Sequence, residues 1–183
     1  MFKLNKKLER EGQIIDNGNG IWYVEEYINA DNVIVRLMGT NYQVKVSWRQ
    51  LMDARVRNPF KLNLYGGYLG VDKDGKFFNM RDKRIKRAYT LWINMLERVM
   101  LNDMYNNVSI CERWTCFANF LEDLPLIKGY ENWVKAGKYE YCIDKDYLQQ
   151  GVDFKVYSVD TCCFITIGEN LKMKDYNKVI TRG

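Results

Sequence analysis

The sequence predicts an α+β chain, in which a small SH3-like β module is followed by helices and a degenerate ββα unit. Three observations support this fold class. Apolar and polar residues alternate with period two through much of about the first 60 residues, as in antiparallel strands. Apolar residues then recur at helical spacing between residues 89 and 124. The stretch 139–172 returns to alternation and closes with Gly168-Glu169-Asn170.

The N-terminal module is expected to contain three or four short strands in an SH3-like barrel or a meander. The residues at 16–20 read DNGNG and lie between two apolar runs, and Asn-Gly in that position is a strong signal for a hairpin turn. Period-two alternation continues through 33–38 and 42–46. Tight turns between such short strands are typical of a small all-β module.

Two apolar stripes predict helices after this module. The first contains Tyr89, Trp92, Met95, Leu96 and Val99, and the second contains Trp114, Phe117, Phe120, Leu121 and Leu124. Apolar periodicity of this kind marks a buried helix face, so we expect both stripes in the core. The predicted organisation is a β module at 1–64, a Gly-rich and basic connector at 65–88, and a helical plus ββα domain at 89–183.

The composition excludes several classes of chemistry. The chain has no histidine, which excludes Ser-His-Asp and Cys-His catalysis and histidine-ligated zinc. A hydrophobic content of 47% is ordinary for a folded protein. The formal net charge of +5 admits a polyanionic partner without requiring one.

The cysteines and the N-terminal residues indicate a cytoplasmic protein. The first residues carry charges and lack the apolar core of a signal peptide, and no run approaches a membrane span. We therefore expect five reduced thiols and no membrane partner. None of the cysteines has the paired spacing of a zinc knuckle, so they are interpreted as small buried hydrophobes and no zinc is expected.

A candidate metal site follows from the order of residues in 139–172. Alternation at 139–143 predicts a strand that ends in Asp144-Lys145-Asp146, and Phe154–Tyr157 predicts a second strand. Ser158 or Asp160 is interpreted as the cap of a helix that carries Asn170. Two strands and a helix in this order form a ββα metal site, in which Asp144 and Asn170 meet over one divalent cation. Oxygen ligands favour Mg²⁺.

The same stretch resembles the C-terminal signature of phage-encoded HNH-type endonucleases. The resemblance rests on the ordered segments IDKDYL, VYSVDTCCFI and EN, and upstream on YTLWINMLERV and VSICERWTCFANFLEDL. The segments VIVRLMGTNYQVKV and NPFKLNLYGGYLG resemble the small β module that often precedes this unit, so the likeness covers nearly the whole chain.

The resemblance implies a phage-encoded DNA-binding protein in the cytoplasm of an infected host cell. If it is active, it is expected to cleave phosphodiester bonds with Mg²⁺. Asp144 and Asn170 would be the metal ligands, and Lys145 stands where relatives have the histidine base. Lysine is a poor general base unless its pKa is strongly lowered, so its expected role is to contact phosphate or stabilise the transition state. Thr161 replaces the asparagine of the family pattern.

Two alternatives from other functional classes stay open. The unit is either catalytic or a catalytically inactive binding module that regulates DNA or docks on and inhibits a host protein. The complete lack of histidine favours the inactive module, and the Asp144–Asn170 pair favours the enzyme. A third possibility is RNA binding through the aromatic-rich β module.

A basic run precedes the first helical stripe and is the candidate DNA-binding segment. It contains Lys83, Arg84, Lys86 and Arg87, with Arg81 beside it. Clustered lysines and arginines at the start of a helix can line phosphates, which makes binding depend on salt. The alternative is an ordinary solvated charged run.

Overall fold

The structure, a computed structural model, describes residues 5–137 and 139–180, with side chains in the last helix as far as residue 173. The chain is of mixed α and β structure and divides into two compact units. The first is built from residues up to 61 together with 73–75, and the second from 62–72 and from 76 onward. None of the helices among the described residues is long and apolar enough to cross a membrane.

The first unit is a four-stranded antiparallel sheet in the order β1-β2-β3-β4, which confirms the predicted antiparallel N-terminal sheet. Its strands are β1 (Ile14–Asp16), β2 (Ile21–Asn29), β3 (Asn32–Leu37) and β4 (Gln43–Val46). A short helix, α1 (Lys6–Arg10), precedes the sheet, and another, α2 (Trp48–Met52), follows it.

Alternation along these strands separates a buried face from a solvated one. The buried face and α2 supply a core of Trp22, Val24, Tyr27, Val33, Val35, Leu37 and Leu51. The intervening positions carry polar residues such as Arg36, whose Nε donates to Oε1 of Glu25 at 2.6 Å. Ser47 caps α2 through a reciprocal capping box with Gln50, as Ser before an apolar turn predicts.

The second unit contains four α-helices and four short strands among its described residues, with three short 3-10 helices between them. The helices are α3 (Lys83–Leu101), α4 (Phe117–Asp123), α5 (Tyr130–Lys135) and α6 (Ile167–Ile180). The strands are β5 (Val108–Ile110), β6 (Tyr141–Asp144), β7 (Lys155–Tyr157) and β8 (Cys163–Thr166). Strand β5 pairs with β7 in parallel, and β6 pairs with β8 antiparallel. Residues 65–72 and 76–88 of the predicted connector group with this unit.

The two predicted helical stripes form its core, which confirms the prediction that they are buried. Trp92, Trp114, Phe117 and Phe120 are completely buried. The indole Nε1 of Trp92 donates to the carbonyl of Trp114 at 2.7 Å, so packing and hydrogen bonding hold the turn that precedes α4 against α3. Satisfying such a buried donor avoids a desolvation cost.

The structure corrects the predicted partner of the strand that ends at Asp144. The predicted second strand exists as β7, but it pairs with β5, whereas β6 pairs with β8, which the sequence had placed within a helix. The residues of β8, Cys-Phe-Ile-Thr, are buried or half-buried and rich in strand formers, so tertiary burial decides their conformation.

The start of the last helix is also different from the prediction. Ser158 and Asp160 lie in the turn before β8 and cap no helix. The helix cap is instead formed by Thr166 and Glu169: Thr166 Oγ1 accepts from the Glu169 backbone N–H at 3.1 Å, and Glu169 Oε2 accepts from the Thr166 backbone N–H at 2.8 Å. This Thr-x-x-Glu capping box is the sequence signal that marks the true start of α6.

Candidate functional site

One face of the β6–β8 pair gathers the residues predicted for the metal site. Side chains alternate along a strand, so Cys142 and Asp144 of β6 project to the same face. Directly opposed residues of antiparallel strands share a face, which adds Cys163, the partner of Asp144. Helix α6 follows β8 at once, and Asn170 in its first turns donates from Nδ2 to the Cys142 sulfur at 3.0 Å. Asn170 therefore reaches the face that carries Asp144.

The carboxylate of Asp144 is buried and held by backbone. Its Oδ1 accepts the N–H of Asp146 at 2.9 Å and the N–H of Tyr147 at 2.7 Å, a turn that fixes the carboxylate where β6 ends. No described residue donates to its Oδ2, and it forms no ion pair with a described cation. One oxygen is thus oriented and satisfied, and the other can accept a cation.

The thiol of Cys163 lies opposite this carboxylate. Burial raises the pKa of Cys163 to about 11, and the negative charge of Asp144 acts in the same direction. The sulfur therefore stays protonated near neutral pH, where it is a weak nucleophile and a poor metal ligand. The oxygens of Asp144 and Asn170 are the cation ligands that fit this face best.

The structure places Lys145 in an environment unlike an exposed phosphate contact. Its side chain is buried, and its ammonium lies 4.8 Å from the ring centre of Tyr105 and 5.8 Å from that of Tyr157. It donates to Oδ2 of Asp146 at 2.9 Å. A phosphate would have to compete with the Asp146 carboxylate for this ammonium, because the two groups are already paired.

Asp146 was predicted only as a member of the acidic cluster, and sequence reasoning did not single out its partner Lys155. Lys155 Nζ donates to Oδ1 of Asp146 at 2.6 Å, so this carboxylate lies between two ammonium groups. Burial would raise the pKa of Asp146, but the hydrogen bonds and charges of Lys155 and Lys145 outweigh it and hold the pKa below its usual value. Lys155 showed only the pattern of an alternating strand, and its partner could not be read from the sequence.

Gln149 was also missed, and it anchors the loop after Asp144. Its buried amide Nε2 donates to the carbonyls of Lys145 at 2.8 Å and Val156 at 3.0 Å, and its Oε1 accepts the Val156 N–H at 2.9 Å. A glutamine in a loop carries no local sign of burial. These bonds tie the end of β6 to the start of β7.

The basic run occupies the start of α3. Lys83, Arg84 and Lys86 are exposed and form no ion pair with a residue that the structure describes. Asp82 caps the helix, accepting from the Arg84 N–H at 2.7 Å. The first turn holds no acidic side chain, so its cations add to the positive end of the helix dipole.

Arg87 differs from its three neighbours because it is tied to the protein. Its guanidinium lies 4.2 Å from the ring centre of Trp133 and donates to the carbonyls of Ala136 at 3.1 Å and Gly137 at 3.2 Å. Burial lowers the pKa of Arg87. The side chain holds α3 against the end of α5, and its donors are engaged there.

No group of three or more His, Cys, Asp or Glu side chains suited to hold a metal occurs within the described ranges. The Asp144–Asn170 pair has one carboxylate and one amide and is not such a group. Comparison of the chain with protein families, with curated proteins and with solved structures finds no match in any of the three. Function is therefore inferred from the residues of this chain alone.

Proposed function

We propose that this chain is a phage DNA-binding protein that resembles HNH endonucleases. The observation that carries the proposal is the order β6, β8, α6, with Asp144 at the end of the first strand and Asn170 in the first turns of the helix. Two antiparallel strands and a helix in this order support a ββα unit. The four-stranded N-terminal sheet would be the SH3-like module that precedes it.

Binding to double-stranded DNA is supported by the exposed cations at the start of α3. Lys83, Arg84 and Lys86 place three positive charges, none paired with a described carboxylate, at a helix N-terminus. This arrangement costs helix stability and attracts anions. Arg87 is not part of this proposed surface, because its guanidinium is used by Trp133 and two carbonyls.

The test is the salt dependence of binding to a mixed-sequence DNA duplex. Replacing Lys83, Arg84 and Lys86 by Gln should weaken binding and reduce the slope of log affinity against log salt by about 0.9 for each phosphate that is no longer neutralised. The matched control replaces three exposed lysines elsewhere in the second unit, Lys76, Lys135 and Lys172, by Gln. Equal slopes for the two triple variants would remove the basic run from the interface.

Magnesium-dependent cleavage is the second candidate, and it is favoured by Oδ2 of Asp144, to which no described residue donates. Mg²⁺ binds through few protein oxygens and keeps several waters, so Asp144 and Asn170 fit as its ligands. Bound there, the cation would stabilise charge on a phosphate and lower the pKa of a water. In this chain the contribution of Asp144 is to present a fixed carboxylate, and that of Asn170 is to supply the amide carbonyl.

Cleavage and metal binding are measured separately. Wild type incubated with supercoiled plasmid and Mg²⁺ or Mn²⁺ should nick it, and Asp144→Asn should abolish nicking while DNA binding is retained. Titration calorimetry with Mn²⁺ should show one site that Asp144→Asn weakens. A wild type that binds DNA, but neither binds the cation nor nicks the plasmid, would leave the catalytically inactive binding module as the function.

A further inference from the structure

The loop after Asp144 exposes an unusual number of large apolar side chains. Within residues 147–154, here called the apolar loop, Tyr147 is 44% exposed, Leu148 42%, Val152 46% and Phe154 72%. Single exposed apolar residues are normal on protein surfaces and need no explanation. Four in eight consecutive positions, directly after the candidate metal ligand, indicate a contact surface.

The apolar loop is held in one conformation. Gln149 is buried in its middle and bonds to the backbone on both sides, at Lys145 and Val156. Its own backbone N–H donates to the carbonyl of Asp146, and Gly151 takes the positive φ of 75° that the turn requires. Because the loop is already ordered, its apolar side chains can engage a ligand with little loss of backbone freedom.

Two lysines lie beside these apolar side chains, and one of them, Lys155, also pairs with Asp146. Lys155 follows Phe154 directly, and the Nζ of Lys128 lies 5.9 Å from the ring centre of Tyr147. Tyr147 also donates its backbone N–H to the candidate ligand Asp144. A nucleic acid presents flat apolar bases next to phosphates, so a surface that mixes aromatic, aliphatic and lysine side chains fits it in both chemistry and charge.

We propose that the apolar loop contacts the bases of the DNA, with Leu148 and Phe154 placed against or between base steps. The inference rests on the proposed function and names the contact that would position DNA at Asp144. Apolar side chains inserted between base steps unstack them and kink the duplex, and aromatic rings stack on exposed bases. The phosphate beside the distorted step would then lie next to Asp144, since Tyr147 is bonded to that carboxylate.

The experiment compares two pairs of exposed apolar residues. Leu148→Ser with Phe154→Ser alters the loop, and Leu62→Ser with Leu64→Ser alters side chains that are 64% and 81% exposed elsewhere in the second unit. The loop variant should bind a mixed-sequence duplex about 5- to 100-fold more weakly, the range for removing base stacking. Its salt slope should equal that of wild type, because every phosphate interaction is retained. The control should bind like wild type, and circular dichroism should show both variants folded.

A second readout detects unstacked bases directly. Wild type should raise the permanganate reactivity of thymines at its binding position, and the loop variant at saturating concentration should not. If wild type binds no DNA, the proposed function itself fails. If wild type binds and the loop variant matches it in affinity and reactivity, the inference is overturned and the apolar loop is a surface for a protein partner. A reduced salt slope in the loop variant would also overturn it.

Discussion

Two carboxylates of the second unit are almost equally buried, and their surroundings differ. Asp123, at 6% exposed, accepts from Arg113 through both oxygens and from the indole of Trp114 at 2.9 Å. Asp144, at 4% exposed, accepts two backbone N–H groups on one oxygen, and no described residue donates to the other. Equal burial therefore hides a difference in bonding. Both oxygens of Asp123 are used by the fold, whereas one oxygen of Asp144 accepts no hydrogen bond from a described residue.

The two carboxylates also differ in whether a charged side chain is paired with them. Hydrogen bonds from Arg113 and Trp114 outweigh burial and lower the pKa of Asp123, so its charge is neutralised within the fold. The ion pairs nearest Asp144 belong instead to its neighbour Asp146, which Lys145 and Lys155 share. The region around Asp123 is complete in itself, whereas the region around Asp144 has capacity for a further ligand.

The largest expected effect is a loss of folding stability in the region around Asp123. Trp114→Ala should lower the free energy of unfolding by about 3–5 kcal/mol, because it empties a fully buried site and removes a donor to Asp123. The control is a large aromatic in the loop after Asp144: Phe154→Ala, at an exposed position, should change stability by less than about 0.5 kcal/mol. Denaturant unfolding measures both, and similar losses would contradict the contrast between the two regions.

The next largest difference in stability is expected when each of the two carboxylates is replaced by the isosteric amide. Asp123→Asn should cost about 1.5–3 kcal/mol, because both oxygens accept charged or indole donors and an amide NH₂ must face one of them. Asp144→Asn should cost under about 0.5 kcal/mol, since Oδ1 keeps both N–H donors and the NH₂ takes the position of Oδ2. Chemical denaturation of the two variants checks this, and a larger loss at Asp144 would show that Oδ2 is structurally engaged.

The smallest expected effect is a pH dependence at Asp146. Its pKa is lowered in the folded state, so it contributes stability above its usual value of 3.8, and that contribution is lost as pH falls through the folded pKa. Wild type should therefore exceed Asp146→Asn in stability at about pH 6 and lose this advantage towards about pH 2.5. Unfolding curves across this range measure it. A stability difference between wild type and Asp146→Asn that stays constant with pH would contradict this prediction. It would show that protonation of Asp146 does not weaken its ion pairs with Lys145 and Lys155.

Local patterns predicted much of this fold. The Trp92 and Trp114 stripes are buried because a 3.6-residue period fixes which side of a helix faces the core. The Asn-Gly turn and the alternation after it predicted the antiparallel N-terminal sheet. These features depend on neighbours a few residues apart, which a sequence displays directly.

The candidate site was predictable only in part. Asp144 and Asn170 were predicted as the site, and the structure shows Asn170 in contact with Cys142, whose side chain lies on the same face of β6 as Asp144. Strand β8 was mistaken for helix because Ser158 and Asp160 have the chemistry of a cap, while the Thr166–Glu169 box was overlooked. The parallel pairing of β5 with β7 joins residues such as Val108 and Lys155, and no local pattern encodes so distant a contact.

The surroundings of individual lysine and arginine side chains could not be predicted from the sequence either, because they too depend on contacts between distant residues. Lys145 lies among rings supplied by Tyr105 and Tyr157, and Arg87 lies over Trp133. A run of lysines and arginines in the sequence does not show which of these side chains face solvent. Their exposure depends on aromatic residues that are distant in the sequence and pack beside them in the fold.

Strand β8 has neighbours on both of its sides. Strand β6 occupies one side, and on the other Lys128 forms a parallel bridge to Cys163 while its carbonyl accepts the Phe164 N–H at 2.7 Å. Gly129 makes this approach possible: its φ is 85°, and a side-chain Cβ there would stand 2.5 Å from the Phe164 carbonyl oxygen. A foreign β-strand therefore cannot add to β8 through strand pairing, which protects the most apolar strand of the second unit from templated aggregation.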